Sequence, residues 1–184
     1  QTISAGRIRT MAVQNNGNVL TTDGTRLSGG MAAVSDGNWH YVGLRTNGTV
    51  EGKTTNDLMA GLDGGTLYKH MQQRNIVSTW KDIQSISAGD AHTVGLYTDG
   101  TAVAAGDNHY GRLEVGGWDD LIAVSAGYDH TVGLRSDGTV LSTGGNKDGL
   151  PDTTGWKDIK AVSAGKFFTV GLQKGGRVIA TGNN

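Results

Sequence analysis

Ala123-Val124-Ser125-Ala126-Gly127-Tyr128-Asp129-His130-Thr131-Val132-Gly133-Leu134-Arg135-Ser136-Asp137-Gly138-Thr139-Val140-Leu141 decides the fold, because the chain repeats it. The frame returns as Ser87-Ala88-Gly89 followed by His92-Thr93-Val94-Gly95-Leu96. It returns again as Ser163-Ala164-Gly165 followed by Thr169-Val170-Gly171-Leu172. Ser87, Ser125 and Ser163 are spaced by 38 residues each time. Short apolar runs at a fixed period of this size mark a small unit that must stack on copies of itself to bury its faces. Two worn copies lie upstream. Ser35-Asp36-Gly37-Asn38-Trp39-His40-Tyr41-Val42-Gly43-Leu44 keeps the pattern well, and Ser4-Ala5-Gly6 with Met11-Ala12-Val13 keeps mainly its opening. Units therefore start near residues 3, 34, 86, 124 and 162 of a single domain spanning 1–184, with an irregular insertion at 53–79.

Within a unit the residues alternate. His130, Val132 and Leu134 fall on one side and Thr131, Gly133 and Arg135 on the other, the period of two that belongs to a strand. Asp137-Gly138, Asp99-Gly100, Asn47-Gly48 and Asn16-Gly17 then close hairpins, for which a type I′ turn is expected. A return strand follows, then the loop Gly106-Asp107-Asn108-His109-Tyr110-Gly111 or its counterpart Gly144 to Gly149. A polar crossing leads to Trp80, Trp118 or Trp156, each seven residues before its Ser. Three strands and a weaker fourth per unit, without a helical period, predict an all-β chain and a β-propeller of about five blades. The alternative is an open arc of blades completed by a second chain. The Trp side chains are expected between blades. Gly95, Gly133 and Gly171 are expected where a neighbour presses on the strand. In the insertion, Leu67 to Arg74 is read as a short helix within a loop crossing one face.

Composition excludes several functions. There is no cysteine, so disulfides, thiol catalysis and cysteine zinc sites are ruled out. The net charge of −1, with both signs interspersed, gives no footprint for nucleic acid or an anionic membrane. No apolar run reaches the length of a membrane span, and no leader peptide is visible. Glycine, at 31 of 184 residues, is more than twice its usual ~7%. With one proline and a strict period, that abundance indicates frequent backbone turns rather than a disordered linker.

The pattern Ser-Ala-Gly-x-x-His-Thr-x-x-Leu-x-x-Asp-Gly-Thr-Val, continued by Gly-x-Asn-x-x-Gly, resembles the repeat of the regulator of chromosome condensation family. The resemblance covers Ser35 to Gly52 and Ile83 to Asn184 well, and Ile3 to Asp23 loosely. It implies a β-propeller that binds other proteins. The family's namesake is an exchange factor for a nuclear GTPase, and a secreted bacterial member inhibits β-lactamases through aromatic loop residues on one face. The plain repeats and aromatic loop tips here are closer to the bacterial members. A secreted or cell-surface bacterial setting is accordingly favoured over the cytoplasm.

The residues after each Ser-x-Gly lie at one end of every blade, and they vary while the framework repeats. They are Arg7-Ile8, Asn38-Trp39, Asp90-Ala91, Tyr128-Asp129 and Lys166-Phe167. Variable Trp, Tyr, Phe and Arg side chains on a constant scaffold are what a protein-recognition surface needs. The binding residues predicted are Arg7, Asn38, Trp39, Asp90, Tyr128, Asp129, Lys166 and Phe167, joined by His109 and Tyr110 from the second loop. Lys147 and Asp148 occupy the matching loop of the next unit. The bland alternative is loop drift without selection. His40, His92 and His130 occupy one repeat position, and a shared structural hydrogen bond that holds a turn is expected of them. His70 and His109 are off-pattern surface residues. Asn146-Lys147-Asp148-Gly149 lacks the first ligand and the closing Glu of a calcium loop. No catalytic motif, metal ligand set or cofactor fingerprint is present, so a non-enzymatic chain without cofactor is expected. The partner expected is another protein, not nucleic acid or membrane. A glycan, bound as by a lectin, is the first rival, and a homo-oligomer is the second if the ring is open.

Overall fold

The computed structural model describes residues 2–6, 9–24, 27, 29–54, 76–145 and 151–182. Fifteen strands form five three-stranded antiparallel sheets, and each sheet takes its strands in chain order. Blade 1 holds β1 (Ile3–Ala5), β2 (Thr10–Val13) and β3 (Val19–Thr21). Blade 2 holds β4 (Met31–Asp36), β5 (His40–Arg45) and β6 (Val50–Thr54). Blade 3 holds β7 (Ile83–Ala88), β8 (His92–Tyr97) and β9 (Ala102–Gly106). Blade 4 holds β10 (Leu121–Ala126), β11 (His130–Arg135) and β12 (Val140–Gly144), and blade 5 holds β13 (Ile159–Ala164), β14 (Phe168–Gln173) and β15 (Val178–Gly182). The register repeats with the sequence: Gly133 faces Val124 and Leu141, as Gly171 faces Val162 and Ile179. No fourth strand is found among the described residues, and the crossing before Trp118 folds as turns with no edge to pair along.

The hairpins correct one expectation. Gly138 has φ +87 while Asp137 is not in the left-handed region, and Gly138 N–H donates to Arg135 O at 3.0 Å. That is a type I turn followed by a left-handed glycine, not the type I′ turn, which needs positive φ at both central residues. The acidic residue has another task. Asp137 Oδ1 accepts from both the N–H and the Oγ1 of Thr139, and Asp99 and Asn47 do the same for Thr101 and Thr49. The side chain thus caps the turn locally. A second device recurs before the first strands of blades 3, 4 and 5. Asp82, Asp120 and Asp158 take φ of 53 to 57, a conformation that Asp tolerates better than most L residues.

Blades pack in chain order, each on the next. Val132, Leu134 and Val140 of blade 4 are buried against Trp156, Val162, Ala164 and Ile179 of blade 5. Val42, Leu44 and Val50 of blade 2 meet Trp80 and Ile83 of blade 3 in the same way. Each fully buried Val or Leu contributes about 1.5–3 kcal/mol. The tryptophans do lie between blades, and each covers the glycine of its own middle strand: a Cβ on Gly133 would come 2.8 Å from the Trp118 ring.

The histidines bind across blades rather than holding a turn. His40 Nε2 lies 2.7 Å from Thr93 Oγ1, His92 Nε2 2.9 Å from Thr131 Oγ1, and His130 Nε2 2.9 Å from Thr169 Oγ1. The alternation that sends His toward one neighbour sends the following Thr toward the other.

The two end blades differ from the inner ones. Val178 is 61% exposed where its counterpart Val140 is 8%, and Ile3 and Leu20 are 76% and 58% exposed. The five blades form an arc whose first and last faces are open to solvent. Within the insertion, the helix expected at Leu67 to Arg74 lies outside the described residues, as does His70.

Candidate functional site

The first strand of every blade ends at a small residue and a glycine, or in blade 2 at Asp36-Gly37. These ends converge. Ala5-Gly6, Asp36-Gly37, Ala88-Gly89, Ala126-Gly127 and Ala164-Gly165 line one funnel of about 720 Å³. Only small side chains leave that space, because the inner strands approach one another closely. A Cβ on Gly127 would meet the Gly165 carbonyl at 2.5 Å.

Around this floor stand Asn38, Trp39, Asp90, Tyr128 and Lys166. Tyr128 and Phe167 meet edge to face with centroids 5.8 Å apart. Lys166 Nζ lies 5.1 Å from the Tyr128 ring and 5.0 Å from the Phe167 ring. Asn38 Nδ2 donates to Asp90 Oδ1 across the boundary between blades 2 and 3. Four of the five units thus contribute a tip residue to one mouth. Arg7, expected from the first unit, lies outside the described residues, as do Lys147 and Asp148.

Three predicted residues sit elsewhere. Asp129 turns away from the mouth toward Arg112, 3.4 Å distant, and burial raises its carboxyl above the usual range although Arg112 opposes the shift. His109 and Tyr110 stand exposed in a tight turn in which Tyr110 takes a φ of 61, with rings 3.9 Å apart, and do not line the funnel. Their loop does lie at the same end of the blades: Asp107 N–H donates to Ala91 O at 2.9 Å.

Two important residues were missed in the sequence. Arg112 is 3% exposed, binds Asp107 at 3.0 Å, and donates to the carbonyls of His109 (3.1 Å) and Tyr128 (2.8 Å). It fastens the second loop of blade 3 to the tip of blade 4. Its signal was available, since the matching position in the next unit is Leu150. Asp36 is 7% exposed and lines the floor, with Arg9 Nε 3.1 Å away. Burial pushes its carboxyl up to about 6, against the opposing pull of Arg9. The departure from Ser-Ala-Gly at Ser35-Asp36-Gly37 marked it.

Among the described residues, no group of three His, Cys, Asp or Glu side chains comes together as metal ligands would. The mouth offers rings, a cation, an amide and carboxylates, which suit hydrogen bonding, stacking and burial of an inserted side chain.

The family model described as "Regulator of chromosome condensation (RCC1) repeat" matches residues 83–112 and 121–150. Those two stretches match as RCC1 repeats. No curated protein sequence matches it. Among solved structures, the chain is similar to the ectodomain of the Physcomitrella patens receptor kinase CR4. The identity is 19% and the TM-score 0.73, over 98% of this chain and 51% of that one. Human WBSCR16 gives 15% identity and a TM-score of 0.74, over 99% and 62% of the two chains. Yeast RCC1 (Prp20), solved bound to Kap60, gives 18% and 0.66, over 95% and 54%. At these identities the likeness is one of fold. The chain spans 51–62% of the length of these three structures.

Proposed function

We propose that the chain is a non-enzymatic protein-binding module whose partner docks over the mouth of the funnel. The observation that carries this reading is the convergence of Asn38, Trp39, Asp90, Tyr128 and Lys166, from four different repeats, on one opening. Beneath them the framework is nearly invariant. Half-buried aromatic side chains at the centre of a concave surface are the usual anchors of a protein interface. A volume of about 720 Å³ accepts one inserted side chain or the tip of a loop. The use of this fold for docking is supported by yeast Prp20, whose structures are described with Kap60 and in terms of binding to Gsp1p and histones.

The test is affinity capture from the native source, followed by titration of the recovered protein. Combined Trp39→Ala, Tyr128→Ala and Phe167→Ala is expected to weaken binding by about 100-fold or more, since a single anchor contributes about 2 kcal/mol. Asp99→Ala, in a hairpin at the opposite end of blade 3, is expected to leave affinity unchanged. Equal affinity for the triple variant and the wild type would overturn the reading. Saturable binding to a glycan array at equivalent sites on several blades would replace it with a lectin.

A further inference from the structure

The hairpins of blades 2, 3 and 4 are built alike but for one group. Asn47-Gly48-Thr49 stands in blade 2 where Asp99-Gly100-Thr101 and Asp137-Gly138-Thr139 stand in blades 3 and 4. In each hairpin the side-chain oxygen of the first residue accepts from the N–H and the Oγ1 of the threonine. The distances are 3.1 and 2.7 Å at Asn47, 2.9 and 2.7 Å at Asp99, and 2.8 and 2.7 Å at Asp137. The turn needs only that oxygen, since two of the three hairpins supply it from a carboxylate. Nδ2 of Asn47 makes no hydrogen bond among the described residues. The amide nitrogen in blade 2 is therefore surplus to the fold.

That nitrogen completes a different pattern. Asn47-Gly48-Thr49 is an Asn-x-Thr triplet, and no other asparagine of the chain has Ser or Thr two residues on. Such a triplet is what an oligosaccharyltransferase reads, the amide nitrogen taking the sugar and the hydroxyl residue completing the recognised motif. The side chain is also well placed to carry a bulky group. Asn47 is exposed, and the backbone beneath it is fixed on all sides. Arg45 N–H donates to Thr49 O at 2.8 Å, Gly48 N–H to Arg45 O at 3.0 Å and Thr46 N–H to Gly30 O at 3.0 Å. From blade 3, Ile83 N–H donates to Gly48 O at 3.0 Å.

We propose that Asn47 is the acceptor of an N-linked glycan. The donor is an oligosaccharide carried on a lipid pyrophosphate. Nδ2 bonds to the anomeric carbon of the sugar, the bond from that carbon to the pyrophosphate oxygen breaks, and the pyrophosphate leaves with the electron pair. Nδ2 gives up one of its two protons and remains an amide. Oδ1 is untouched by the reaction, so both bonds from Thr49 persist and the folded hairpin accepts the product without loss. The six residues of β5 span roughly 20 Å between the tip that carries Trp39 and this hairpin. The glycan thus projects from the end of the blade opposite the funnel and leaves the mouth uncovered.

The test is translation of the full chain behind a cleavable signal sequence, in the presence of microsomes that contain an oligosaccharyltransferase. The translocated wild type is expected to gain one glycan, removed by a peptide N-glycosidase that leaves Asp at position 47. Asn47→Asp keeps the turn, as Asp99 and Asp137 show, and is expected to abolish the glycan; Thr49→Val is expected to abolish it and Thr49→Ser to retain it. Asn16→Asp, in the matching hairpin of blade 1 where Asn18 replaces the threonine, is expected to change nothing. The glycosylated and deglycosylated chains should melt within about 2 °C of each other, as for other changes at exposed positions. A translocated wild type without glycan would overturn the proposal, as would a glycan that persists in Asn47→Asp or Thr49→Val. A glycosylated chain that melts far below the deglycosylated one would overturn it too, because the hairpin would then not accommodate the product.

Discussion

His92 Nε2 lies 2.9 Å from Thr131 Oγ1, and that hydroxyl gives its only hydrogen to the Arg112 carbonyl at 2.8 Å. The imidazole is therefore the donor, which fixes the tautomer with hydrogen on Nε2. One buried side chain of blade 3 is thereby tied to blade 4 and, through Arg112 O, to the loop that carries the Arg112 clamp. His130 and Thr169 repeat the contact at the next boundary, where it can be tested cleanly.

Thr169→Val removes the hydroxyl and keeps the shape, leaving a buried imidazole nitrogen without its mate. A loss of about 1–3 kcal/mol is expected from urea unfolding midpoints. Adding His130→Leu should recover most of that loss, because no polar group is then left stranded. If the double variant loses as much as the sum of the singles, the contact does not act as a pair.

Acid should loosen the blades through these histidines. Burial lowers His130 from 6.5 to about 4, and burial is also the chief reason that His92 falls well below 6.5. The unfolded chain takes these protons from pH 6.5 downward while the folded chain does not, so stability falls between pH 6.5 and 4. The His130 share is on the order of 3 kcal/mol. Asp36 works in the opposite direction. Its folded value of about 6 against 3.8 means that the folded chain gains this proton first, which offsets the loss over the same window. Asp36→Asn is expected to steepen the decline between pH 6 and 4, measured as denaturant midpoint against pH.

Gly133→Ala would drive a methyl to 2.8 Å from Trp118. An overpacking cost of about 1–3 kcal/mol is expected. Gly116→Ala, with open space around its Cβ and no left-handed φ, should change the thermal midpoint little. Equal effects at both sites would show that the Trp does not press on the strand.

Arg112→Ala leaves Asp129 half of a buried ion pair and frees the Tyr128 carbonyl. A loss of about 3–5 kcal/mol is expected, the range for breaking a buried pair on one side. Hydrogen exchange at residues 126–130 should accelerate, and the affinity of a docked partner should drop with it. Unchanged exchange there would mean that Arg112 does not hold the funnel edge.

The repeat made most of this legible in advance. Residues such as Val132 and Leu134 recur because every blade must bury the same face, so strand, hairpin and packing direction are written into alternation and period. The tips Asn38, Trp39, Asp90, Tyr128 and Lys166 were visible as the positions where the copies disagree. Arg112 and Asp36 are also disagreements, but each occurs once. Nothing in a single sequence tells a lone buried ion from a drifting surface residue.

By itself the sequence determined the unit, its period and which end of each blade varies, since those follow from local alternation and from turn residues that act within a few positions. Only the tertiary structure decided that His reaches Thr 39 or 53 residues away, that the tips meet at one mouth, and that the first and last faces stand open. Those facts depend on how one sheet is rotated against the next. That rotation is set by packing between residues far apart in the chain, which no spacing records.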